Sequence, residues 1–168
     1  QNINLLELNY PIIETPKKVS NKNILQQEVI LALIRQESEF DGRANSWAGA
    51  KGLMQIMPAT GQLVAKQAGL RYSRSKLTEN EFFNLQIGSF YISNLTENLS
   101  GAKYMAFAAY NAGPHRVQRW IRRFGDPRKG EIDPVDWIEL IPFNETRNYV
   151  QRVIENTRLV FERSLWFH

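Results

Sequence analysis

Glu37 is a carboxylate in an apolar setting. Ile30, Leu33, Ile34 and Glu37 recur at helical spacing, so the acid shares the face on which three large aliphatic residues turn inward. Burying a charge is costly unless it is paired. A place at the C-terminal end of the predicted helix adds repulsion from unpaired carbonyls. Both effects raise a carboxyl pKa, and a carboxyl that keeps its proton near neutrality suits general acid catalysis. The plainer reading is a solvated glutamate at a frayed helix end, or one partnered by Arg35 or Arg43. Glu39 and Asp41 follow at alternating positions and suggest a cation site, but no D-x-D-x-D-G loop supports calcium, and Asp41 reads more simply as a turn residue before Gly42.

Three other stretches carry polar groups in unusual company. In GLMQIMP, Gly52 to Pro58, glycine permits close backbone approach to a ligand and Gln55 can donate and accept hydrogen bonds. Its methionines, Met57 included, equally suit core filling. In AAYNAG, Ala108 to Gly113, Tyr110 and Asn111 are polar among small apolar residues and need partners, although Asn111 also fits a helix C-cap. In PFNETRNY, Glu145 falls in a first helical turn, where the macrodipole favours an anion, and Tyr149 lies one turn on along the same face. His115 and His168 lack any metal-ligand spacing, there is no Cys, and neither phosphate-loop motif is present, so no metal or cofactor is expected.

The elements that must position these groups are mainly helical. Pro11 and Pro16 break residues 1–22 into an extended lead-in, with Leu5, Leu6, Leu8, Ile12 and Ile13 placed on the domain surface. Asn23 with Gln26 reads as a capping box opening a helix from about Ile24 to Ser38. Residues 41–57 read as a loop or small irregular hairpin, and Pro58 opens a helix ending near Gly69. Thr78 with Glu81 reads as a second capping box, ahead of a helix carrying Phe82, Leu85, Ile87, Phe90, Tyr91 and Leu95. Further helices are predicted over 102–112, from Pro114 to Phe124, from Pro134 through Ile141 behind an Asp133 cap, and from about Asn144 to Arg163.

The 168 residues, 43% hydrophobic and 23% charged, describe an ordinary globular domain and exclude a disordered chain. No run reaches the ~18 apolar residues of a membrane span. A net charge of +4 makes an anionic polymer a plausible partner without choosing among nucleic acid, acidic lipid and cell-wall glycan. Arg119, Arg122, Arg123, Arg128 and Lys129 cluster near the fifth helix, but no nucleic-acid motif accompanies them, and a solvated face is the simpler meaning.

RQESEF (35–40), SWAGAKGLMQIMPAT (46–60), AAYNAG (108–113) and IPFNETRNYVQRV (141–153), in this order, resemble the catalytic domain of soluble lytic transglycosylases, the Slt family, over about residues 24–160. The resemblance implies a lysozyme-like fold for residues 23–168. It also implies a bacterial periplasmic or cell-envelope enzyme that cleaves the β-1,4 bond between N-acetylmuramic acid and N-acetylglucosamine in peptidoglycan, leaving a 1,6-anhydromuramoyl end: a carbon–oxygen lyase. It places the catalytic acid/base on Glu37 and a nearby hydrogen-bonding serine on Ser46. Gln55, Met57, Tyr110, Asn111, Glu145 and Tyr149 become contacts to the sugar. A monomer is expected, attached in the full-length protein to a large upstream helical domain. Gly42 departs from the family, whose members often have proline there, and the 71–81 and 124–134 loops look like variable connections.

Hydrolysis by two carboxylates needs a second acid ~5–9.5 Å from the first. No obvious one accompanies Glu37, and Glu145, the nearest suspect, belongs to another motif. Three rivals stay open. A muramidase similar to goose-type lysozyme would add water, a glycan-binding module would have lost catalysis, and a nucleic-acid binder would rest on charge alone.

Overall fold

The computed structural model describes residue 11 and residues 13–166. Leu5, Leu6, Leu8 and Ile12 of the expected surface lead-in lie outside the described residues, while Ile13 is half-buried. The architecture is mainly α, as expected. Its elements form two compact units: one from the residues through Tyr91 together with those from Asn156 onward, the other from Ile92–Glu155.

The first unit opens with an antiparallel pair, β1 (Lys18–Val19) and β2 (Lys22–Asn23), in which Lys18 faces Asn23 and Val19 faces Lys22. Val19 is buried, and the Lys22 ammonium lies 5.7 Å from the centre of the Phe90 ring. This pairing overturns the expected capping box: Asn23 is in a strand, and Ile24 N–H extends the pairing to the Lys17 carbonyl at 3.0 Å. Helix α1 therefore starts at Gln27 and runs to Ser38, behind Gln26, with no side-chain cap. Residues 41–57, expected as a loop or small irregular hairpin, carry only the isolated bridges Asn45–Lys51 and Lys51–Ile56.

Helix α2 (Pro58–Gln67) begins on its proline as predicted, since a first-turn residue needs no intrahelical N–H. A short α3 (Lys76–Glu79) precedes α4 (Glu81–Asn98). Here too the expected cap is corrected. Thr78 lies inside α3, and Asn80 caps α4 by accepting from Phe83 N–H at 2.8 Å, asparagine being among the strongest N-caps.

Ile30, Leu33, Ile34, Leu53, Met54, Ile56, Leu77 and Ile87 are the large, fully buried aliphatic side chains of this unit. Each contributes about 1.5–3 kcal/mol of transfer free energy. Met54 seats against α4 because residue 88 is glycine: a Cβ there would stand 2.4 Å from Met54 Sδ.

The second unit takes the end of α4 and then α5 (Lys103–Ala112), α6 (Pro114–Phe124), a 3-10 turn (Pro127–Lys129), α7 (Pro134–Glu139) and α8 (Asn144–Trp166) as far as Glu155. Met105 through Ala109 are all buried, and Gly113, at φ 92°, ends α5 and lets Pro114 start α6. Trp137 is fully buried, with Tyr104 and Trp120 edge-on at 6.1 and 6.4 Å between ring centres. Asp133 caps α7 by accepting from Val135 N–H at 2.7 Å, though the helix ends at Glu139, short of the expected Ile141.

Candidate active site

Glu37 sits in the last turn of α1 and is half-buried, one turn beyond the fully buried Leu33 and Ile34. The helix stops one residue later, after Ser38, because Glu39 and Phe40 adopt φ values of 52° and 69°. Neighbouring Ser38 ties this end to the next motif. Its hydroxyl donates to the Leu53 carbonyl at 2.8 Å, with the Ile34 carbonyl at 3.3 Å. Glu37 and the Gly52–Pro58 segment, separate stretches in the sequence, are thereby joined in one unit.

That segment is held tightly by its own backbone. Lys51 and Ile56 exchange both hydrogen bonds, at 3.1 and 2.9 Å, and Gly52 N–H reaches the Ala44 carbonyl at 2.8 Å. Gly52 has φ 73°, and a Cβ there would lie 2.1 Å from the Leu77 carbonyl oxygen, so no side chain fits. Gln55 is also in the left-handed region, at φ 47°. Its amide nitrogen donates to the Gly52 and Ala44 carbonyls at 2.9 and 3.2 Å. The amide oxygen makes no hydrogen bond among the described residues and is left as an acceptor on a half-buried side chain. Met57 is 42% exposed at the start of α2.

The sequence reading missed Asn84, which fastens this segment to α4. It is fully buried, accepts from Met54 N–H at 2.9 Å and donates to the Lys51 and Leu77 carbonyls at 2.9 and 2.8 Å. A signal was present: Asn84, Ile87, Gly88, Ile92 and Leu95 share one helical face, and a lone amide on such a face must find partners.

Ser46 is exposed and accepts from Ala50 N–H at 2.9 Å, leaving its hydroxyl proton to donate. Asp41 accepts from Arg43 N–H at 2.8 Å, which is the turn role the sequence suggested. Glu39 faces Arg35 at 3.8 Å across an exposed helix surface, where such a pair is worth little.

In the second unit, the hydroxyl of Thr146 donates to Asn111 Oδ1 at 2.7 Å, joining the AAYNAG and ETR motifs. Thr146 is buried and was also passed over in the sequence, although it stands beside Glu145. Tyr110 is half-buried at the end of α5, and Glu145 is exposed in the first turn of α8. Tyr149 is only 5% exposed, so its ring belongs largely to the packing of this unit. Arg147 donates to the Glu139 carbonyl at 3.2 Å and to Asn144 Oδ1 at 2.8 Å, fixing the approach of α7 to α8.

The transglycosylase SLT domain family matches residues 14–132, well over half of the 168 residues. The chain belongs to that family. The match starts ahead of the expected residue 24 and stops short of the 141–153 motif. A soluble lytic murein transglycosylase of Salmonella typhimurium is 39% identical to this SLT domain over 132 residues, covering 77% of the chain and 20% of that protein. The crystal structure of the 70-kDa soluble lytic transglycosylase of Escherichia coli superposes with a TM-score of 0.76 at 34% identity, covering 85% of this chain and 23% of that one. A lytic transglycosylase from Pseudomonas aeruginosa, solved as an inactive glutamate-to-glutamine mutant, gives 0.72 at 35% identity, covering 84% and 22%. The SLT domain thus has the expected lysozyme-like fold of the solved transglycosylases. It spans about a fifth of the length of the soluble lytic murein transglycosylases it matches.

Proposed function

We propose that this SLT domain is a lytic murein transglycosylase that cuts the β-1,4 bond between N-acetylmuramic acid and N-acetylglucosamine, with Glu37 as its sole acid/base. One observation carries the reading. A half-buried glutamate lies in the last turn of α1, and the next residue, Ser38, bonds to Leu53 of the segment that presents the free amide oxygen of Gln55. The inactive glutamate-to-glutamine mutant named for the Pseudomonas aeruginosa relative supports dependence on a single carboxylate.

In the first step the Glu37 carboxyl gives its proton to the glycosidic oxygen, and the bond to muramoyl C1 breaks. The N-acetyl oxygen of the same sugar shares the positive charge at C1. Glu37, now a carboxylate, takes the proton of the C6 hydroxyl, whose oxygen closes onto C1 as a 1,6-anhydro ring. No water is consumed and the acid is regenerated. An internal nucleophile has a high effective molarity, so holding the ring in place favours cyclisation. Gln55, Met57, Tyr110, Asn111, Glu145 and Tyr149 contribute by positioning sugar, and Ser46 by donating a hydrogen bond near the acid. The setting is the bacterial periplasm or envelope, where peptidoglycan lies, and the partner is its glycan strand. Among the described residues no helix is long and apolar enough to cross a membrane. A larger upstream domain in the full-length protein accords with the length of the relatives.

Digestion of purified sacculi with mass spectrometry of the products tests this. The wild-type chain is expected to release muropeptides ending in anhydro sugar, and Glu37→Gln to lose activity by about a thousandfold or more while keeping its circular dichroism spectrum. Gln55→Ala and Tyr110→Phe are expected to lose about tenfold, through positioning. Products one water heavier would show a muramidase instead, and substantial turnover by Glu37→Gln would remove that residue from its role.

A further inference from the structure

Trp47 contradicts its surroundings. Residues 46–49 form a tight turn, closed by Gly49 N–H on the Ser46 carbonyl at 2.9 Å. The turn is reinforced where Ser46 N–H meets the Ala50 carbonyl and Ala50 N–H meets Ser46 Oγ, both at 2.9 Å. At its base, Asn45 pairs with Lys51, and the Lys51 ammonium donates to Asn45 Oδ1 at 2.6 Å. The backbone that carries Trp47 is therefore pinned on both sides, and only the side-chain torsions remain free. Turn corners ordinarily take small or polar residues. Here the corner holds the largest apolar side chain, 105% exposed, while Trp120 and Trp137 are buried. Trp47 also stands one residue from Ser46 and in the same loop as Gln55, whose amide binds the Ala44 carbonyl at the base of the turn.

We propose that Trp47 is a stacking platform for one pyranose ring of the glycan strand. The proposal rests on the transglycosylase reading and extends it with a contact outside the residues named above. The hydroxyls of a pyranose lie around its rim and its C–H groups on its faces, so it can cover an indole without desolvating most of its polar groups. A tryptophan has the area for that contact and loses little conformational freedom in making it. A protein partner would instead call for a contiguous apolar patch around the indole, but the residues flanking it along the turn are Asn45, Ser46, Ala48, Gly49 and Ala50.

The test uses Trp47→Ala and Trp47→Phe in the full chain, with hexameric N-acetylglucosamine as the binding probe and sacculi as substrate. Because Trp47 is wholly exposed, both variants are expected to melt with the wild type. Adding the hexamer should quench and blue-shift wild-type tryptophan emission. Trp47→Ala should lose that change and raise KM on sacculi by about fivefold to tenfold, with a smaller effect on kcat. Trp47→Phe should recover part of the KM. An active Trp47→Ala with wild-type KM and an undiminished emission change would overturn the proposal. If the wild-type chain proves inactive on sacculi, the transglycosylase reading fails and the hexamer titration decides alone. An emission change lost in Trp47→Ala then upholds the platform, and no change in the wild type overturns it.

Discussion

Asn84 shows how much one buried amide can fix. It bonds two carbonyls and one N–H on three different residues, and of these the Lys51 carbonyl also accepts from Ile56 N–H at 2.9 Å. Asn84→Ala is expected to cost about 3 kcal/mol, measured by urea unfolding, because backbone groups lose their partners without gaining water. Asn84→Asp keeps the bond from Met54 N–H but turns an acceptor toward the Lys51 and Leu77 carbonyls. Its stability should rise as pH falls and the new carboxyl takes up a proton, opposite to the trend of the wild type. The candidate residues were legible where type conflicted with company: Glu37 after Leu33 and Ile34, Gln55 between methionines, Asn111 among alanines. The helical face around Asn84 signals that its amide needs partners, but which groups those are, and that Thr146 meets Asn111, only the packed segments reveal.

At the scale of elements, proline and glycine made the helices readable. Pro58, Pro114 and Pro134 each open a helix, and Gly113 and Gly125 end two, because these constraints act through backbone conformation whatever surrounds them. Capping boxes failed twice. Strand pairing claimed Asn23, and Asn80 outcompeted Thr78, so side-chain caps inferred from spacing yielded to pairing and to a better cap nearby. The 3-10 turn offers a separate test. Asp126 is buried there and accepts from Arg128 Nε and Nη2 at 2.8 and 2.7 Å and from Arg128 N–H at 3.1 Å. The side-chain bonds from Arg128 dominate and hold its carboxyl below the usual value, against the opposing effect of burial. A carboxyl whose folded pKa lies below its unfolded value stabilises the fold above the unfolded value and loses that contribution as pH falls through the folded one. Melting temperature should therefore drop on acidification below about pH 4, the ordinary aspartate value. Asp126→Asn should flatten that drop and lower stability at neutral pH by about 2 kcal/mol.

Across the whole molecule, the unit that carries Glu37 is assembled from two separated stretches of chain, the residues through Tyr91 and those from Asn156 onward. Val160, in the later stretch, is buried. Deleting residues 156–168 is expected to lower the melting temperature and to abolish cleavage of sacculi, although every residue assigned to the reaction remains. Thermal melts of the shortened chain beside the intact one check this. The division also sets an order of events during translation. A ribosome delivers Ile92–Glu155 before Asn156, so the glutamate-bearing unit emerges first in part and is completed last. Its early stretch must wait, with apolar surface uncovered, until the residues from Asn156 onward have been made.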